Sequence, residues 1–274
     1  MKILALGDFH GKFPEKLEEE AKKADLIIST GDFADSSELR DLQFKYWDQL
    51  KKKGQTLEKI VGKEKYKALL KRAINYSNKV LEKLSSLNHN IIAVYGNADS
   101  IDKETKKYKL EGIESSCKRY GIRLPKNPVV INGLYAACFP GYRGAALKGL
   151  IETEEKKSKI NKINKKWNKD LNYLFKRINP KLTIVIAHDS VKNYFDKVKF
   201  KGSPMNGKHV GDEYLYNAVR RYQPLAYIGG HMHEYQGIKR LGKTSIISAG
   251  PAYENKAVLI DIEGQKIKSI KFLS

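Results

Sequence analysis

Residues 3–10 read Ile3-Leu4-Ala5-Leu6-Gly7-Asp8-Phe9-His10: four apolar residues that stop at a glycine and run into a carboxylate and an imidazole two positions apart. A short apolar run without alternation reads as a strand buried on both faces. The same pattern recurs along the chain. Leu26–Ser29 leads to Gly31-Asp32, Ile91–Tyr95 to Gly96-Asn97, Leu182–Ala187 to His188-Asp189, and Leu225–Ile228 to Gly230-His231-Met232-His233. Ligands collect at the carboxyl ends of strands in α/β sheets, so five such loops can deliver their side chains to one place.

Between these strands the spacing turns helical. Ile160, Ile163, Trp167, Leu171, Leu174 and Ile178 recur at three- and four-residue steps and fall on one helix face. Residues 36–88 carry their own apolar pattern (Tyr66, Leu69, Ala73, Ser77, Val80, Leu84), which predicts two or three helices forming a cap. A Lys-rich helical segment is expected at about residues 150–178, with its lysines mostly off the apolar face. Alternating strands and helices predict an α/β sandwich. Thr244–Ser248, Ala257–Ile262 and Ile267–Phe272 are strand-like, separated by glycine turns, and suggest a second, largely antiparallel sheet. No fixed repeat or low-complexity linker interrupts the chain, so residues 1–274 read as one domain with helical insertions.

Fifty-two basic against 31 acidic residues leave a net charge of +21, which draws nucleic acid, anionic surfaces or phosphorylated substrates without choosing among them. With two cysteines, Cys117 and Cys138, no disulfide framework is implied, and Cys138 in the apolar run 135–139 reads as a buried free thiol. No apolar run is long enough to cross a bilayer, and the run at residues 3–6 is too short for a signal peptide. A cytoplasmic protein without membrane insertion is expected.

Oxygen and imidazole donors together suit Mn, Fe, Ni or Zn and argue against a thiolate site. The ordered set Asp8-x-His10, Gly31-Asp32, Gly96-Asn97-x-Asp99, His188 and Gly230-His231-x-His233 resembles the signature of the calcineurin-like metallophosphoesterase superfamily. The resemblance implies a four-layer αββα sandwich of two mixed β-sheets flanked by helices. It also implies two divalent metal ions, manganese first. Asp8, His10 and His233 would hold one ion, Asn97, His188 and His231 the other, and Asp32 would bridge them. Asp32, Asn97 and His188 would be the catalytic residues of the metal centre. The implied activity is hydrolysis of phosphodiesters or phosphomonoesters by metal-activated hydroxide. Two alternatives stand beside it: a nuclease or RNA-processing enzyme acting on nucleic acid or nucleotide, and a metal-binding scaffold for protein interactions.

One position departs from the pattern. Many catalytic relatives carry a histidine where this chain has Ala98, and that imidazole assists the leaving group. Such help is worth roughly 100- to 10,000-fold. Asp99, without its usual partner, then reads as a cap for the following helix. His209 and the Tyr142-Arg143 pair are candidate substitutes or phosphate contacts, since arginine suits bidentate phosphate binding. The turn at Gly250-Pro251-Ala252-Tyr253 lies near the last metal motif, and His89 reads as a surface residue.

Overall fold

The computed structural model describes residues 1–52, 55–139, 141 and 154–274. Its strands are β1 (Lys2–Leu6), β2 (Leu26–Ser29), β3 (Ile91–Ala93), β4 (Val129–Ile131), β5 (Leu134–Phe139), β6 (Thr183–Ala187), β7 (Ala226–Gly229), β8 (Gly237–Leu241), β9 (Thr244–Ser248), β10 (Ala257–Glu263) and β11 (Lys266–Leu273). They form a five-stranded sheet in the order β11-β10-β1-β2-β3 and a six-stranded sheet in the order β4-β5-β6-β7-β9-β8. Both are mixed: β1-β2-β3 and β5-β6-β7-β9 run parallel, while β10, β11, β4 and β8 pair antiparallel.

Alternation along each strand explains the layering. Ile3, Ala5, Leu26, Ile28, Ile184, Ile186, Ile228 and Ile247 point inward and fill the space between the two sheets. Leu4, Leu6 and Ile27 point outward to meet α1 (Glu18–Lys23), the second half of α5 (Lys63–Leu87) and α7 (Ile113–Arg119). On the opposite side Val185, Ala187, Tyr227 and Ile246 pack against Leu171 and Phe175 of α8 (Glu154–Phe175) and Leu215 and Val219 of α9 (Glu213–Tyr222). These are the four layers expected from the sequence.

The C-terminal strands depart from expectation. They make no sheet of their own: β9 joins the six-stranded sheet parallel to β7, while β10 inserts antiparallel beside β1 and carries β11 with it. Their apolar runs are symmetric enough to pair in either direction, so strand content alone did not fix the partners. The described residues of the 36–88 stretch hold four helices rather than two or three, namely α2 (Ser37–Lys45), α3 (Trp47–Lys52), α4 (Leu57–Val61) and α5. Val80, Leu81 and Leu84 of α5 sit in the core under the first sheet, so this helix is a structural layer as well as an insertion. Glu38 of α2 pairs with Arg72 of α5. Both cysteines are free, Cys117 buried and Cys138 half-buried. Among the described residues no helix is long and apolar enough to cross a membrane.

Candidate metal centre

The loops after β1, β2 and β3 leave one sheet and those after β6 and β7 leave the other, and all five meet at the seam between them. Backbone pairing draws the first two together: Asp8 N–H donates to Gly31 O (2.8 Å) and Phe9 N–H to Asp32 O (2.8 Å). Within the other sheet Gly230 N–H donates to His188 O (3.1 Å), and His231 N–H, donating to both oxygens of Asp8 (3.1 and 3.0 Å), ties that sheet to the first. Asp8, His10, Asp32 and His231 all adopt positive φ, between 45° and 69°. Such left-handed backbone costs a non-glycine residue of order 1–3 kcal/mol and persists where the surroundings over-determine it. Gly96 is constrained by space: a Cβ there would lie 2.1 Å from Asp32 Oδ1 and 2.6 Å from the His188 ring.

One ligating atom from each of Asp8, His10, Asp32 and His233 falls within 4.8 Å of the other three. His10 Nε2 lies 3.0 Å from His233 Nε2, which in turn is 3.5 Å from Asp8 Oδ1. Asp32 Oδ2 sits between two imidazoles, 3.8 Å from His10 Nε2 and 3.5 Å from His188 Nε2. His188 Nε2 is also 3.0 Å from Asn97 Oδ1, and the His231 ring stands edge-on to His188 with centroids 5.1 Å apart. The structure therefore brings together all seven residues singled out as ligands.

The donor set suits a cation. His188 Nδ1 faces the Thr30 carbonyl at 2.8 Å, and a carbonyl only accepts, so Nδ1 carries the proton and Nε2 presents a lone pair. That lone pair points at the carbonyl oxygen of Asn97, a second acceptor. A cation between them would take a lone pair from each. Burial and the neighbouring His233 push His10 down to about 4, and burial with the adjacent His188 pushes His231 well below its usual range. These imidazoles are thus neutral and available as ligands. Burial opposes ionisation of Asp8, yet the His233 imidazole beside it holds its carboxyl well below the ordinary range. His233 is raised in turn, as Asp8 overcomes the effect of burial. Asp32 is raised by burial, with Asp8 as a nearby like charge.

Asp99 is no helix cap. Its Oδ2 accepts from Asp32 N–H (2.8 Å) and Gly96 N–H (2.9 Å), and its Oδ1 from Phe33 N–H (2.9 Å) and Ala34 N–H (3.1 Å). The carboxylate is a clamp between the β2 and β3 loops. Burial and the charge of Asp32 raise it to about 6 in spite of these donors. Asp99→Asn would turn an NH2 group toward two N–H donors. The expected cost is about 3 kcal/mol, read as a fall in Tm of roughly 6–12 °C by calorimetry.

Ala98 is buried against Ala34 and Ala73 of α5, so helix and loop close around this position. His209 does not join the cluster. Its half-exposed ring gives Nδ1 to Asp196 Oδ1 at 2.8 Å, because the 195–210 segment folds back on itself through the Lys197–His209 bridge. Tyr142 and Arg143 lie outside the described residues, and His89 is exposed. Tyr253 is closer than the sequence suggested: its ring stands edge-on to His10 and to His233, each at 5.6 Å. The signal was the glycine turn at residue 250, which the Gly7–Pro251 bridge and Ala252 N–H to Gly7 O (2.8 Å) hold over the β1 loop. Thr30 was missed because its contribution is a backbone carbonyl.

A family model described as calcineurin-like phosphoesterase matches residues 1–235. The chain belongs to that family. Solved structures agree on the calcineurin-like fold. One is a solved chain of 16% identity with a TM-score of 0.64, covering 100% of this chain and 99% of its own. A dimetal phosphatase from Danio rerio gives 0.55 at 10% identity, covering 100% of this chain and 96% of that one. The phosphopantetheinyl hydrolase of Mycobacterium tuberculosis gives 0.52 at 12% identity, over 93% and 91%. No curated protein sequence matches the chain.

Proposed function

We propose that this calcineurin-like phosphoesterase is a hydrolase of phosphodiesters or phosphomonoesters that works with two divalent ions, manganese in the first instance and Fe, Ni or Zn as alternatives. Asp8, His10 and His233 would hold one ion, Asn97, His188 and His231 the other, with Asp32 shared. The observation that carries this reading is the position of Asp32 Oδ2 between His10 and His188, each imidazole directing Nε2 toward it. The Danio rerio neighbour described as a dimetal phosphatase has the same fold, which supports the two-ion assignment. Residues 1–274 would act as one unit, since β10 and β11 complete the sheet that starts at β1.

When bound, such ions supply Lewis acidity and make water a nucleophile at neutral pH. The protein's own residues hold the geometry. The Thr30 carbonyl fixes the His188 tautomer, Asp99 locks two ligand loops in register, and Ala98 N–H fixes Asp32 Oδ1 at 2.7 Å. With no imidazole at Ala98, the leaving group must depart without that proton donor. Activated esters are therefore favoured over alkyl esters, by a margin of about 100-fold or more.

Hydrolysis of bis(p-nitrophenyl) phosphate and p-nitrophenyl phosphate by metal-stripped protein, with and without manganese, tests the reading. Manganese-dependent release of nitrophenol is expected, and no release with manganese, nickel or zinc would sink it. Metal removal should also be visible as lost stability: at 100 times its Kd a ligand adds about 2.7 kcal/mol. A chelator is accordingly expected to lower Tm by about 5–10 °C. Nucleic acid is one of the anionic partners that a charge of +21 would draw, and such binding would weaken steeply with salt.

A further inference from the structure

Acidic residues are missing from three stretches of the chain, 171–188, 214–233 and 235–253, and these carry four of its nine arginines. The fold joins parts of all three at the end of the six-stranded sheet where β6, β7 and β9 begin. Tyr222, the last residue of α9, donates its hydroxyl to Asn172 Oδ1 of α8 (2.7 Å) and stacks on Phe175 with ring centroids 4.7 Å apart. Gln223 Oε1 accepts from Lys243 N–H of the β8–β9 turn (2.6 Å), and the Arg240 guanidinium donates to the Lys243 carbonyl (3.2 Å). Arg177, Arg220, Arg221 and Arg240 are thereby collected at one end of the molecule. All four are exposed, and among the described residues none has an ion-pair partner.

Helix polarity accounts for part of this, since cations stabilise the C-terminal ends of α8 and α9, where Arg177, Arg220 and Arg221 lie. Arg240 and Lys243 belong to a β-hairpin, which has no such dipole. Three of the arginines also lie over tyrosine rings: Arg177 over Tyr173 at 3.9 Å, Arg221 over Tyr222 at 5.4 Å and Arg220 over Tyr216 at 5.8 Å. A guanidinium held on a ring keeps its N–H edge for phosphate oxygens and offers its plane to a base. Tyr173 keeps 55% of its surface exposed. Among the described side chains of α8 and α9 it is the only large hydrophobic so exposed, which is too little to seat the surface in a bilayer.

We propose that this end of the sheet is a docking surface for single-stranded nucleic acid, with Arg177, Arg220, Arg221 and Arg240 on its phosphates and a base stacked at Tyr173. Charge complementarity supplies the affinity, and the arginine–tyrosine pairs favour unpaired bases over a duplex, whose bases already stack on one another. The strand is a partner held apart from the metal centre. The ligand loops follow the last residues of β6 and β7 while the arginines lie by the first, roughly 13 Å away along β6 at about 3.3 Å per residue. Docking there needs no metal ion, so it stands independently of the hydrolase reading.

Fluorescence anisotropy of a labelled oligothymidylate, titrated with metal-stripped and with manganese-loaded protein, tests the surface. Equal affinity in the two states is expected, falling with salt by a log–log slope of about −0.7 for each phosphate held. Arg177→Gln with Arg221→Gln should weaken binding at least about tenfold and make that slope shallower by about 1.4. Tyr173→Ala should weaken it at least about fivefold, and Tyr173→Phe should preserve it. Lys65→Gln with Lys71→Gln removes the same charge from α5, in the helical layer of the other sheet, and should change affinity less than about twofold. An arginine pair without effect, or an equal loss in the lysine control, would overturn the surface. A duplex bound as tightly as the single strand would overturn the choice of partner, as would retention on phosphatidylserine vesicles without oligothymidylate binding. Binding abolished by metal removal would put the strand at the metal centre and overturn the proposal, whereas docking intact in a protein without esterase turnover would count against the hydrolase reading alone.

Discussion

Asp32→Asn should lower manganese-dependent turnover by about 1,000-fold, because several kcal/mol of charge stabilisation are at stake and each decade of rate is worth 1.36 kcal/mol. The substitution is nearly isosteric. The amide oxygen can still accept from Ala98 N–H, while the NH2 group would turn to the lone pairs of His10 and His188. A buried carboxylate, raised by burial and the nearby Asp8, becomes neutral. The metal-free variant should therefore melt no lower than metal-free wild type, and the stabilisation by manganese should shrink. Paired turnover and melting measurements check this: lost activity with a collapsed fold, or full activity, would each contradict the role of Asp32 as the shared ligand. His89→Ala, on an exposed turn, serves as the silent control.

Gly96→Ala should fail in the opposite way. Its Cβ would lie 2.1 Å from Asp32 Oδ1 and 2.6 Å from His188, and neither neighbour is free to yield. Asp32 is held through Ala98 N–H and His188 through the Thr30 carbonyl. Overpacking of this kind costs about 3 kcal/mol or more, so Tm should fall by roughly 6–12 °C and metal binding should weaken. Thermal melts and manganese titration of the variant read both effects, and a stable variant with wild-type metal affinity would show that the loop after β3 sits differently.

These two positions illustrate what a sequence can and cannot disclose. The strands carrying Asp8, Asp32, Asn97, His188 and His231 were legible because burial on both faces demands unbroken apolar runs and ligand loops demand abrupt polar endings. The layering followed from alternation within β1, β2 and β6, which divides their side chains between the central core and the helices. The partners of β9, β10 and β11 were not legible, since pairing direction depends on long-range topology rather than on residue type. Asp99 was misread as a cap because its four donors come from two separate loops. His209 reads from the sequence as a candidate substitute for the missing imidazole, whereas Asp196 holds its ring away from the ligands.

The central claim is that five loops from two sheets build a site for two ions. Metal content per chain, measured by mass spectrometry after dialysis of stripped protein against manganese, tests it most directly. The account predicts two ions per wild-type chain and fewer than two after Asp32→Asn. Saturation of the folded wild type at one ion or none would contradict it.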